Sequence, residues 1–98
     1  MSPETALTQQ ATVGSRVGLH ARPAALIAQR AASLAAGGAA VRIGRDGRDP
    51  VDARSPLLLM TLGAAQGDEV VIEVSGDGAA EALAEIVALV ESDLDAEP

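Results

Sequence analysis

A lone histidine, His20, lies in the run Gly18-Leu19-His20-Ala21-Arg22-Pro23-Ala24, directly ahead of an alanine-rich apolar stretch. That stretch predicts a helix. A helix start carries backbone N–H groups without intrahelical acceptors, together with the positive end of the macrodipole, so anionic oxygens are stabilised there. A neutral imidazole nitrogen is a competent nucleophile. A phosphoryl group moved onto it would face the backbone amides of Ala21 and Arg22 and lie near the Arg22 guanidinium. Taken alone, a histidine at such a place is more often a capping or surface residue. The rest of the chain has to move that balance.

Composition removes most competing chemistry. There is no cysteine, hence no disulfide, thiol nucleophile or cysteine-held metal, and a single histidine argues against a histidine-rich metal site; no cofactor is expected. No Phe, Trp or Tyr is present, so the stacking platform for single-stranded nucleic acid is missing and nucleic acid is not an expected partner. The 98 residues fit one domain, 1–98, with residues 1–6 and 93–98 expected as flexible tails. The chain opens without a basic segment followed by an apolar one, and no apolar run reaches membrane-spanning length, which points to a cytoplasmic protein without membrane insertion. Charge is segregated along the sequence. All seven basic residues are arginines between Arg16 and Arg54, giving +3 for residues 1–54 against −10 for residues 55–98. The half that holds His20 is therefore mildly positive, which suits phosphate.

Periodicity then supplies the elements that must position His20. Residues 7–13 alternate weakly as a strand and 14–18 read as a loop. Residues 21–36 carry a helical stripe (Ala24, Ile27, Ala28, Ala31, Leu34, Ala35), with Pro23 tolerated in the first turn and Gly37-Gly38 as the stop. Residues 39–43 and 48–53 form a predicted hairpin around Gly44-Arg45-Asp46-Gly47, and Pro50 favours an edge position for the returning strand. Ser55 is a good N-cap, Pro56 follows at the first helical position, and Gly63 closes a short helix. Residues 68–75 give the clearest strand, with Val70, Ile72 and Val74 on one face. After Ser75-Gly76-Asp77-Gly78, residues 79–92 form an amphipathic helix. The order βαββαβα implies an α+β fold, with helices on one face of an antiparallel or mixed sheet.

The short helix is too apolar for its place. Leu57, Leu58, Leu59, Met60 and Leu62 occupy nearly every side of it, and a helix packed on one face cannot bury all five. Some must face solvent or a partner.

The chain resembles the HPr family of histidine-containing phosphocarriers of the bacterial sugar phosphotransferase system. The resemblance covers roughly residues 7–92. It rests on Gly18-Leu19-His20-Ala21-Arg22-Pro23-Ala24 and on Ala53-Arg54-Ser55 through Met60-Thr61-Leu62-Gly63, two motifs at the family's separation within the family's element order. It implies an open-faced β-sandwich, a four-stranded antiparallel sheet covered on one face by three helices. It further implies that His20 accepts a phosphoryl group on Nδ1 from phosphorylated enzyme I and donates it to enzyme IIA components, with Arg22 assisting. The protein would then be a monomeric carrier and not an enzyme. Ser55 matches the residue that an HPr kinase modifies in some members, although Pro56-Leu57-Leu58 departs from the Ile-Met-Gly that follows it there, and capping alone explains Ser55. Leu57, Met60 and, on the first helix, Leu26 match positions that dock partners, a transcriptional regulator among them. Two other assignments compete. A nitrogen-related carrier would share the chemistry and differ in its partners, and a non-catalytic regulatory docking module would need neither His20 nor Arg22. A hydrolase using His20 as base lacks a cysteine nucleophile or a second histidine.

Overall fold

Alternation along the sequence becomes a sheet whose central strand is the last one made. The computed structural model describes residues 6–94. Its elements are β1 (Leu7–Thr12), α1 (Ala21–Ala36), β2 (Ala39–Arg45), β3 (Arg48–Asp52), α2 (Pro56–Thr61), β4 (Glu69–Gly76) and α3 (Ala79–Glu91). The strands lie in the order β1-β4-β2-β3, and every pairing is antiparallel. In β4, Val70, Ile72 and Val74 are fully buried under the helices, while the alternating Glu69 and Val71 are exposed on the uncovered face. The result is an open-faced sandwich, four strands with three helices on one side.

The core is built without a ring. Ala24, Ile27 and Ala31 of α1, Val41 and Ile43 of β2, Leu59 of α2, and Ala82, Ile86 and Val90 of α3 close over β4. The small alanines of α1 and α3 let these helices lie close to the sheet. α3 packs on β1 and β4, α1 lies on β2, and α2 leans on α1 and β3.

Element boundaries fall within a few residues of expectation, with two differences that bear on the site. β2 runs on through Arg45, which pairs with Arg48, so the turn contracts to Asp46-Gly47, with Gly47 at φ +82°. The register shifts between Ile43↔Val51 and Arg45↔Arg48, leaving Asp49-Pro50 opposite Gly44, and β3 is the edge strand that Pro50 requires. Asp93 and Leu94, expected to begin a flexible tail, are tied down instead. Asp93 accepts from the backbone N–H and Nε of Arg16 (3.3 and 2.7 Å), and the Leu94 N–H donates to Ser15 Oγ at 3.0 Å. The expected tail segments 1–5 and 95–98 lie outside the described residues.

Ile72→Ala, at the centre of this sheet, should destabilise the protein by about 2–5 kcal/mol in urea unfolding followed by far-UV circular dichroism. A loss under about 1 kcal/mol would mean that the centre of the core is looser than its burial implies.

Candidate functional site

The loop ahead of α1 is fixed from two sides before it reaches His20. Ser15, almost wholly buried, donates from Oγ to the Ser92 carbonyl at 3.2 Å, anchoring the loop to the end of α3. The Gly18 N–H bonds the Ser15 carbonyl and the Leu19 N–H bonds the Ala64 carbonyl, both at 2.9 Å, while the Leu19 side chain is buried. Gly18 sits at φ +72°, and a Cβ there would run into the Ala64 carbonyl and the Ala65 Cα. Only glycine meets both demands.

His20 is the N-cap residue of α1, in extended geometry (φ −127°, ψ 160°), and its side chain makes no capping hydrogen bond. The ring is exposed and not spent on the helix, which sets aside the capping reading of this histidine. An N-cap side chain lies beside the amides of the first helical turn. Pro23, buried in that turn, has no N–H, so the first-turn amides beside the ring are those of Ala21 and Arg22. Ala21 adopts φ +31°, far from helical values and unfavourable for any residue with a Cβ. Backbone strain of this kind persists where surrounding bonds over-determine the conformation. Here those bonds are Leu19 to Ala64 and the Ala24 N–H to the His20 carbonyl at 3.3 Å. Arg22 is exposed, two residues from the ring.

α2 carries the second group of candidates. Ser55 caps it, its Oγ accepting from the Leu58 N–H at 3.2 Å. Asp52 and Arg54 brace the approach. The Arg54 guanidinium meets both carboxylate oxygens, with Nη2 to Oδ2 at 2.8 Å, and the Arg54 N–H bonds Oδ1 at 2.9 Å. The side-chain bonds from Arg54, then its backbone bond, hold the Asp52 carboxyl below its ordinary value. Of the five apolar residues on this helix and its end, Leu59 and Leu62 are buried, Met60 is half-buried against the core, and Leu57 and Leu58 are exposed, Leu57 by 73%. α2 packs on α1, which brings this apolar face to the same side of the molecule as the helix that His20 starts.

Leu26, on α1, is half-buried and lines a groove of about 380 Å³ with Gln29, Arg30, Ser33 and, from α3, Leu89. Of the five apolar residues, Leu58 is not among the expected docking positions, yet it is exposed next to Leu57; Val17, 53% exposed on the loop three residues before His20, has no periodic pattern around it that would mark it. Among the described residues no cluster of three or more His, Cys, Asp or Glu could hold a metal, and no helix is long and apolar enough to cross a membrane.

A family model described as the PTS HPr component phosphorylation site matches residues 7–92. The phosphocarrier protein HPr of Streptomyces coelicolor is 37% identical over 90 residues, covering 92% of this chain and 94% of its own length. That of Cupriavidus necator is 34% identical over 84 residues, covering 86% and 90%. Among solved structures, a phosphocarrier protein HPr from Bacillus anthracis superposes with a TM-score of 0.79 at 34% identity, covering 88% of this chain and 98% of that one. The HPr-C-His structure from Thermoanaerobacter tengcongensis gives 0.80 at 33% identity, covering 94% and 99%.

Two outcomes follow from the geometry. Carbon-detected NMR titration should find the Asp52 carboxyl titrating below 3.8, and Arg54→Ala should return it towards that value. Because the folded value is the lower one, the pair adds stability above the ordinary carboxylate range and loses it as pH falls through the folded value; both side chains are largely exposed, so the contribution is small. Ser55→Ala should cost about 1 kcal/mol in chemical unfolding, the usual worth of an N-cap.

Proposed function

The chain belongs to the HPr family of phosphotransferase-system phosphocarriers, and from that premise we propose that His20 is the residue that carries the phosphoryl group. The observation that carries this reading is an exposed N-cap imidazole that makes no capping bond, set beside the amides of Ala21 and Arg22. In the forward step His20 Nδ1 attacks the phosphorus of phosphorylated enzyme I. The P–N bond to the donor histidine breaks as the new one forms, and the donor nitrogen keeps the electron pair. The reverse geometry, with a histidine of an enzyme IIA component attacking, unloads the carrier. Two amides and the Arg22 guanidinium offset the charge that arrives with the group, and an exposed site holds it loosely enough to give it up.

Leu57 and Met60 serve as the docking surface for both partners, with Leu58 and Val17 widening it. Met60 supplies a side chain that repacks against different surfaces. Leu26, half-buried in the groove that Leu89 also lines, adds an apolar contact from α1. Ser55 is open to a second kind of control. A phosphate there, with about −1.5 to −2 charges, would displace the Leu58 cap and set a strong negative charge beside the docking residues. The carrier acts in the cytoplasm as a monomer.

Incubation with phosphoenolpyruvate and enzyme I should place acid-labile phosphate on His20 of the wild type and none on His20→Ala. Equal labelling of the two would overturn the assignment. Arg22→Ala should slow acceptance by roughly tenfold, less than the loss of a buried oxyanion donor because this site is open to water. Leu57→Glu should raise KM for phosphorylated enzyme I and leave kcat nearly unchanged, the signature of a lost docking contact.

A further inference from the structure

α2 has six residues, too few to be stable on its own, so something outside it must set where it lies. Its C-terminal end receives two arginines from the β2–β3 hairpin. Arg45 Nη1 donates to the Leu62 and Gly63 carbonyls at 3.1 and 2.9 Å, and Arg48 Nη1 donates to the Thr61 carbonyl at 2.7 Å. Cations at this end also meet the negative pole of the helix. Arg45 differs from Arg48 in what else it holds. Its Nη2 bonds Asp68 Oδ2 at 3.2 Å, and that same oxygen accepts the Ala65 N–H at 2.9 Å, while the Asp68 N–H returns to the Ala65 carbonyl at 3.0 Å. The loop from Gly63 to Asp68 is thereby gripped at both ends by one guanidinium. The carbonyl in the middle of that loop, on Ala64, is the acceptor of the Leu19 N–H, and the Gly18 backbone rests on Ala64 and Ala65.

We propose that Arg45 is a positioning residue for phosphoryl transfer, fixing the docking helix α2 and the His20 loop in one mutual arrangement through the Gly63–Asp68 loop. It touches neither the imidazole nor the partner. Residues 41, 43 and 45 share one face of β2 by alternation, so the strand delivers Arg45 to the helix-covered side, where its side chain is 27% exposed. The register shift beside it lies where a strand is commonly re-aimed. Arg48 bonds the end of α2, whereas Arg45 bonds both that end and the loop beneath Leu19. A partner seated on Leu57 and Met60 therefore meets a ring whose distance from that seat Arg45 sets.

The inference rests on His20 being the acceptor, and its test separates the two claims. Wild type, Arg45→Ala, Arg45→Lys and, as a control for lost charge on the uncovered sheet face, Arg42→Ala are compared by amide hydrogen exchange and by transfer from phosphorylated enzyme I. In Arg45→Ala the Leu19 amide should exchange at least about tenfold faster while the β4 amides keep their protection, because the opening is local. KM for transfer should rise about fivefold or more, with Arg45→Lys recovering part of it and Arg42→Ala within about twofold of wild type. Leu19 protection that is unchanged, or lost only together with that of β4, overturns the proposal, as does a KM within about twofold of the control. If the wild type takes no phosphoryl group on His20, the assignment of His20 fails instead, and Leu19 exchange alone still decides whether Arg45 holds the two loops together.

Discussion

The bond from the Leu19 amide to the Ala64 carbonyl joins the loop that enters α1 to the loop that leaves α2. The geometry around His20 leans on it. It holds the segment where Gly18 has no room for a side chain and where Ala21 is kept in a backbone conformation it would not choose. Neither helix could enforce this alone. α1 is long but begins at the strained residue, and α2 is a turn and a half whose position comes from its neighbours. The bond turns two weak local structures into one surface.

The sheet explains why that bond can form. β4 is the sixth element made, yet it lies in the middle of the sheet, paired on one side with β1 and on the other with β2. Its insertion brings Asp68, at its entry, under the hairpin arginines, and brings the loop before it under Leu19. The surroundings of His20 are therefore completed by a strand and a loop about 45 residues or more further along the chain. Charge follows the same route. Arg16, Arg30, Arg42 and Arg45, all from the basic half, pair with Asp93, Glu85, Glu73 and Asp68 of the acidic half. The positive environment expected for His20 from the sequence is thus largely neutralised in space, and the groups close to the ring matter more than the field of the half-chain.

What could be read in advance was what short-range physics decides. The alternation at Val70, Ile72 and Val74 marks the buried strand, Ser55-Pro56 marks the start of α2, and the Gly18–Ala24 run marks where α1 begins, with His20 as its N-cap, because each rests on propensity, capping or period within a few residues. The excess of leucine on α2 correctly implied exposure, but not that Leu58 would join Leu57 outside. Three features had no such signal. Gly44-Arg45-Asp46-Gly47 reads as turn chemistry, and nothing local marks Arg45 as a residue that reaches across to α2. Ala21 is a poor choice for positive φ, so its conformation follows from its surroundings alone. The ties from Asp93 and Leu94 back to Ser15 and Arg16 span nearly the whole chain, and a run of acids at the C-terminal end resembles a fraying tail until its partners are seen.

The two outer strands deserve a different reading from the site they support. On β3, Pro50 offers no amide and stands among Arg48, Asp49 and Asp52 beside a break in register; on β1, the Thr12 N–H is already taken by the Glu91 carboxylate. Both features blunt an edge against strand addition by another chain, which leaves contact with other proteins to side chains rather than to a backbone ladder.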